Sequence, residues 1–181
     1  MEAKTVNFSR TTITELMIPA FANFSGKVHG GTLLSLMDKV AYVCAAKHAG
    51  SYCVTVSVEG VEFREPLEVG ELVSLYASVN YVGNSSMIVG IRVESLKPKT
   101  GEVKHTNSCY FTMVAKDDDG KPMTVPKLIL ENEDDVRRFY DAIQLRKKRQ
   151  EISSILSKDI KKVSLKTMKS IVSKNRCQVN L

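Results

Sequence analysis

From Gly31 to about His48, apolar residues recur at helical spacing: Leu33, Leu34, Met37, Val40, Ala41, Cys44 and Ala45. Almost no polar face remains, so the spacing predicts a long helix buried on most sides, with Gly50 as its stop. Whatever follows must cover it. Four runs rich in Val, Ile, Tyr, Ser and Thr come next, at about 52–64, 71–82, 86–97 and 102–115. Glu65-Pro66 with Gly70, Gly83-Asn84 and the stretch from Lys97 to Gly101 mark the turns between them. Connections this short require antiparallel neighbours, since parallel ones need a long crossover. Residues 5–18 alternate loosely and read as a first strand. The sum is an α+β domain in which a five- or six-stranded antiparallel sheet wraps a long central helix. Such a sheet keeps exposed edges, and a helix apolar all round needs cover beyond one sheet. Dimerisation that extends the sheet would meet both needs.

The 181 residues allow one ordinary domain and a tail. Residues 1–130 form the expected main domain and residues 131–181 a helical, basic C-terminal extension. Within it, residues 133–149 open on an acidic turn and close on Arg146-Lys147-Lys148-Arg149, the polarity a helix dipole prefers. The net charge of +6 is unevenly spread. Residues 146–181 hold 11 Lys/Arg against 2 acids, whereas residues 1–145 hold 15 against 18. The basic character therefore belongs to the tail and says little about the main domain's ligand. No apolar run of membrane-spanning length and no secretory signal is seen, and Cys44, Cys53, Cys109 and Cys177 show no metal-ligand spacing. A cytoplasmic protein with free thiols is expected.

Ahead of the helix, a polar loop with Asn23 and Gly26 runs into the paired glycines Gly30 and Gly31. Glycines let a ligand approach the backbone, and the first N–H groups of a helix favour negative charge. Asp38 then falls among Leu33, Leu34, Leu36, Met37, Val40 and Ala41, a poor setting for a charge without a task or a partner. A structural task serves equally: pairing with Lys39 or Lys47 of another subunit for Asp38, and an ordinary Asx turn for Asn23.

The run Gly26-Lys-Val-His-Gly-Gly-Thr-Leu-Leu-Ser-Leu-Met-Asp38 resembles the signature of hotdog-fold acyl-CoA thioesterases, in particular the cytosolic (brain-type) acyl-CoA hydrolases and their bacterial relatives. Agreement continues in Phe63-Arg64-Glu65-Pro66-Leu67-Glu68-Val69-Gly70, in Tyr81-Val82-Gly83-Asn84-Ser85-Ser86-Met87 and in Thr106-Asn107, over about residues 8–130. The resemblance implies the hotdog fold, sheet-extended dimers that often assemble into hexamers, and hydrolysis of acyl-CoA to a carboxylic acid and CoA. It matches Asn23 and Asp38 to the active-site pair and sets Gly30 and Gly31 beside the thioester carbonyl. No cofactor is expected, coenzyme A being part of substrate and product.

Thioester hydrolysis needs donors for a developing oxyanion and a base or nucleophile. Gly30 and Gly31 could supply the first and Asp38 the second. Yet Gly31 and Asp38 are seven residues apart, roughly 10 Å along a helix. The expected site therefore joins the glycine end of one protomer's helix to Asp38 of its partner. Asn84, Ser85 and Ser86 at a tight turn, and Arg64 before Pro66, are candidate ligands for pantetheine or phosphate, with turn chemistry as the plain reading of both. His29 is read as a loop-orienting residue, His48 and His105 as ordinary, and Cys44 as core. No G-x-S-x-G is present, which argues against a serine nucleophile.

Residues 151–172 set Ile152, Ile155, Leu156, Ile160, Val163, Ile171 and Val172 among lysines. A break in the apolar stripe at Thr167 favours packing or a mobile tail over a membrane-surface contact, and no nucleic-acid partner is expected. Two rival functions remain: a non-catalytic acyl-CoA sensor whose basic tail touches nucleic acid or protein, and a hotdog dehydratase. A sensor needs no carboxylate beside a thioester, and His29 is not placed as a dehydratase histidine.

Overall fold

The computed structural model describes residues 1–63, 65–158 and 163–178. It divides into two compact units, Met1–Ala142 and Ile143–Leu181. In the first, α2 (Gly30–Ala49) lies against a curled sheet of five antiparallel strands: β2 (Thr11–Leu16), β3 (Tyr52–Glu59), β4 (Leu72–Val82), β5 (Ser86–Lys97) and β6 (Glu102–Lys116). Their order is β2-β4-β5-β6-β3, which leaves β2 and β3 at the edges. Tight turns join β4 to β5 and β5 to β6, as the sequence predicts.

Period-two alternation decides what faces the helix. Val73, Leu75, Ala77 and Val79 of β4, Met87, Val89, Ile91 and Val93 of β5, and Cys109, Phe111, Met113 and Ala115 of β6 are all buried. They meet Leu33, Leu36, Met37, Val40, Ala41, Cys44 and Ala45 of α2 in one core. Gly50 ends α2 in the left-handed region at φ 71°, its N–H on the Ala46 carbonyl at 2.8 Å. The helix is not buried on most sides within one chain. Leu34, Ser35, Asp38, Lys39, Tyr42 and Val43 are exposed along one flank.

The first predicted strand is broken into three pieces. β1 (Lys4–Thr5) pairs with β7 (Leu128–Ile129) in parallel, a helical turn α1 (Val6–Ser9) follows, and β2 completes the run. Thr5 Oγ1 caps α1 by accepting from the Phe8 N–H at 3.2 Å. Ser9 Oγ accepts from the Val79 N–H at 3.0 Å and pins the turn to β4. β3 stops at Glu59 rather than at about 64, where Gly60 turns the chain at φ 74°.

α3 (Glu133–Lys158) starts where the acidic turn predicts, with Asn132 Oδ1 accepting from the Asp135 N–H at 2.9 Å. In the first unit its Phe139 ring packs on Tyr81 at 5.1 Å, and Ala142 is fully buried. The helix runs nine residues beyond the predicted 149, because Glu151 to Ile155 contain no breaker. The second unit also holds α4 (Leu165–Val172), capped by Ser164 Oγ accepting from the Thr167 N–H at 3.2 Å. At about 100° per residue, Leu165, Met168, Ile171 and Val172 share one arc of α4. Thr167 sits at the margin of that arc and does not break it. Ile160 lies outside the described residues.

Candidate active site

The loop before α2 is built around the Asn23 side chain. Asn23 Oδ1 accepts from the Ser25 N–H at 3.0 Å, the Ser25 hydroxyl at 2.8 Å and the Lys27 N–H at 3.1 Å. The Asn23 N–H donates to the Lys27 carbonyl at 2.6 Å, and Gly26 takes the φ of 77° that closes the turn. The Val28 N–H donates to the Leu67 carbonyl at 2.9 Å, and an ion pair between Lys27 and Glu68 holds the loop to the segment before β4. With Oδ1 saturated, Asn23 has only its exposed Nδ2–H groups left to offer a ligand.

His29 is the N-cap of α2: its Nδ1 accepts from the Gly31 N–H at 2.9 Å. That is the loop-orienting role expected of it. It also narrows the donor pair, since the Gly31 N–H is engaged while the Gly30 N–H has no acceptor among the described residues. Neither glycine has a positive φ; both are needed for close approach. A Cβ on Gly30 would lie 3.3 Å from the Phe63 ring, and one on Gly31 only 2.9 Å from His29 Nδ1. A cavity of about 260 Å³ opens here, lined by Val28, Gly30, Leu33, Phe63 and Leu67.

Asp38 is on the exposed flank of α2, not inside the apolar core, and it has a partner. The Thr55 hydroxyl of edge strand β3 donates to Asp38 Oδ1 at 2.6 Å. Thr55 lies two residues beyond buried Cys53 and so shares its inward face, while a bulge between Thr55 and Ser57 shifts the register against β6. Reading the sequence missed Thr55. Its alternation with Cys53 was visible, but which helix residue it meets depends on how β3 returns past α2.

Asn84, Ser85 and Ser86 form the β4–β5 turn, and their backbones are occupied. The Asn84 carbonyl accepts from the Val125 N–H at 2.9 Å, the Ser85 carbonyl from the Ala115 N–H at 2.9 Å, and the Ser86 carbonyl from the Gly83 N–H at 2.7 Å. This turn is at the end of the sheet where β3 begins and α2 ends, opposite the Gly30 end. Within one chain it does not meet the glycines. Arg64 lies outside the described residues.

Of the other thiols and imidazoles, Cys44, Cys53, Cys109 and His48 are buried, while His105 and Cys177 are exposed. Burial pushes the Cys44 thiol up to about 12 and that of Cys109 likewise to about 12, which suits core residues and not nucleophiles. His48 is fully buried with Nε2 3.0 Å from the Pro126 carbonyl oxygen. His105 binds the Asn107 carbonyl at 2.9 Å and Ser108 Oγ at 2.8 Å.

The chain is similar to known proteins in sequence and fold. The Thioesterase superfamily profile matches residues 25–102. The chain is 46% identical over 145 residues to protein VdlD of Helicobacter pylori, covering 80% of this chain and 83% of that one. It is 32% identical over 155 residues to the cytosolic acyl coenzyme A thioester hydrolase of Mus musculus, covering 82% of this chain and 41% of that one. Among solved structures, an apo-hexameric acyl-CoA thioesterase superposes at TM-score 0.82 and 34% identity, over 86% of this chain and 99% of that one. The Staphylococcus aureus acyl-CoA hydrolase in complex with butyryl coenzyme A and coenzyme A superposes at 0.78 and 31%, over 87% and 96%. Alanine variants of that hydrolase have also been solved, at TM-scores of 0.77–0.80, 27–28% identity and coverage of 89–90% and 99–100%. They replace an asparagine, an aspartate 15 residues later and a threonine 17 residues after that. Asn23, Asp38 and Thr55 stand at the same intervals. With the helix-and-sheet architecture and two thirds or more of several relatives covered, the chain belongs to the thioesterase superfamily.

Proposed function

We propose that this protein hydrolyses acyl-CoA thioesters to a carboxylic acid and free CoA, in an active site shared between two copies of the chain. The observation that carries the reading is the Asp38 carboxylate, oriented by Thr55 on the flank of α2 that one chain leaves exposed. Thr55 occupies one lone pair of Oδ1 and leaves Oδ2 for water or substrate. The relatives named as acyl-CoA thioester hydrolases support the reaction, and the spacing of the three S. aureus substitutions supports the residues.

In this reading the thioester carbonyl oxygen sits against the Gly30 N–H, where the helix dipole favours the charge that develops on it. The acyl or pantetheine chain enters the cavity beside Phe63 and Leu33. Asp38 of the partner takes a proton from water as it adds to the carbonyl carbon and passes it to the departing sulfur. Alternatively it attacks that carbon itself, leaving a mixed anhydride that water then hydrolyses to the acid while its proton goes to the CoA thiolate. In both routes the C–S bond breaks and CoA ends as the thiol. Asn23 donates from Nδ2 to the water or to the carbonyl. Asn84, Ser85 and Ser86 would bind the coenzyme from another protomer, since they lie far from Gly30 in their own chain. No bound cofactor is needed. The two-chain arrangement follows from distance: Gly31 and Asp38 share a stripe of α2 but lie about 10 Å apart along it. Hexameric relatives are consistent with dimers as building blocks.

CoA release from a panel of acyl-CoA chain lengths tests the reaction. Wild type should turn over at least one of them, and Asp38→Asn should be slower by about 10²-fold or more. Absence of turnover at every length would leave an acyl-CoA-binding protein without catalysis. Mixing inactive Asp38→Ala with inactive Asn23→Ala tests the sharing. Hybrid dimers contain one intact site and should recover up to about half of wild-type activity per mixed dimer. Rapid quench in a single turnover separates the two roles of Asp38, since an acyl group bound covalently to the protein, trapped by hydroxylamine, forms only if the carboxylate attacks.

A further inference from the structure

The family profile ends at residue 102, and nothing in the reaction uses the second unit. Yet α4 is strongly two-faced. Leu165, Met168, Ile171 and Val172 span an arc of about 120°, with Lys166 on the opposite side and Lys169 at the margin next to Leu165. Leu165 is 61% exposed and Ile171 57%. Val163 before the helix and Val172 at its end are exposed as well. Lys174 and Arg176 follow directly, and the exposed Ile152 and Ile155 of α3 come after Arg146-Lys147-Lys148-Arg149. Exposed aliphatics cost free energy in water, and cations alone would suit any anionic partner. Only an anionic surface with an apolar interior satisfies both in one segment.

We infer that the C-terminal segment lays α4 on anionic lipid bilayers, the aliphatic arc at the acyl boundary and the lysines among the headgroups. A nucleic acid would use the lysines and leave the aliphatic arc in water. The arrangement is a surface contact and not a span, for no helix among the described residues is long and apolar enough to cross a membrane. One eight-residue helix binds weakly, but the copies in an oligomer engage together and add their effects.

The full chain is floated with vesicles of phosphatidylcholine alone or with roughly 30% phosphatidylglycerol. Wild type should co-float about tenfold more with the anionic vesicles, and about 0.5 M salt should remove most of that excess. Leu165→Asp combined with Ile171→Asp should reduce recovery to the neutral-vesicle level at unchanged oligomeric mass. Lys166→Glu combined with Lys174→Glu should do the same while leaving the aliphatic arc intact. Equal recovery from both vesicle types overturns the inference, as does undiminished binding by the aspartate variant. Loss of oligomeric mass in that variant would assign the arc to packing against another subunit. Tight binding of a duplex oligonucleotide that the aspartates leave unchanged would assign the lysines to nucleic acid. Flotation requires no turnover, so it stands or falls apart from the thioesterase reading.

Discussion

At the scale of single residues, two side chains do more than their type announces. Asn23 is a structural acceptor on an exposed residue: three loop donors saturate Oδ1, which leaves the Nδ2–H groups to donate. Alanine there would remove both functions and collapse the turn. Asn23→Asp keeps the acceptor and loses the donor, so it should fold with a melting temperature near wild type while kcat/KM falls by about 10²-fold. Near-wild-type kcat/KM in that variant would rule the donor role out. Thr55 gives Asp38 its one side-chain hydrogen bond among the described residues. Thr55→Val keeps shape and strand propensity but not the hydroxyl; kcat should drop about tenfold, whereas Thr55→Ser should retain most activity. Equal losses in both variants would mean that the hydroxyl bond is not what matters.

At the scale of elements, α2 has a purpose at each end. Its N-terminus presents Gly30 because His29 consumes the neighbouring N–H. Its C-terminus is stapled by Lys4, whose ammonium donates to the Lys47 and His48 carbonyls at 3.2 and 2.8 Å, the charge that this end of a helix favours. His48 is the weak point against acid. Its Nε2–H donates to Pro126, while Nδ1 is buried and without a partner among the described residues. Protonating Nδ1 would bury an uncompensated charge, so desolvation, with the nearby Lys4 cation adding to it, holds the folded pKa below the ordinary 6.5. The unfolded chain therefore binds the proton first, and stability falls as pH drops below about 6.5 toward the folded value. The slope from this one group is at most about 1.4 kcal/mol per pH unit. Melting temperatures between pH 7.5 and 5 should show His48→Gln with the shallower acid dependence, whatever its absolute stability. Parallel curves would discard the assignment.

At the scale of the whole molecule, what one chain leaves uncovered defines what it must meet. Edge strand β3 exposes Tyr52, Val56 and Val58, α2 exposes Leu34, Tyr42 and Val43, and the Tyr42 and Tyr52 rings meet at 6.0 Å, an apolar strip on the side that carries Asp38 and Thr55. A second copy paired along β3 would cover the strip and bring a foreign helix start toward Asp38. Val56→Lys places a charge on that edge while keeping Thr55 and Asp38 themselves unchanged. It should shift the protein toward monomer in analytical ultracentrifugation and lower activity in parallel. A monomer with full activity would refute the shared site.

How much of this was legible beforehand follows from which interactions are local. The amphipathic spacing around Met37 and Cys44, the Gly50 stop and the four alternating strands are set within a few residues of each position, so the α+β architecture could be read directly. The motif from Gly26 to Asp38 likewise carried the family. Three things could not be read. The burial of Asp38 was misjudged because Leu33, Leu36, Met37, Val40 and Ala41 turn into the core while Asp38 and Leu34 stay on the exposed flank. Thr55 was missed because its bond to Asp38 spans 17 residues and a change of element. The engagement of Gly31 by His29 depends on a rotamer that composition does not fix. Sequence alone determined the elements and the chemistry available to them, since backbone preference and hydrophobic period act locally. Tertiary structure alone decided which groups meet and which face stays open, because those depend on how a curled sheet returns past its helix.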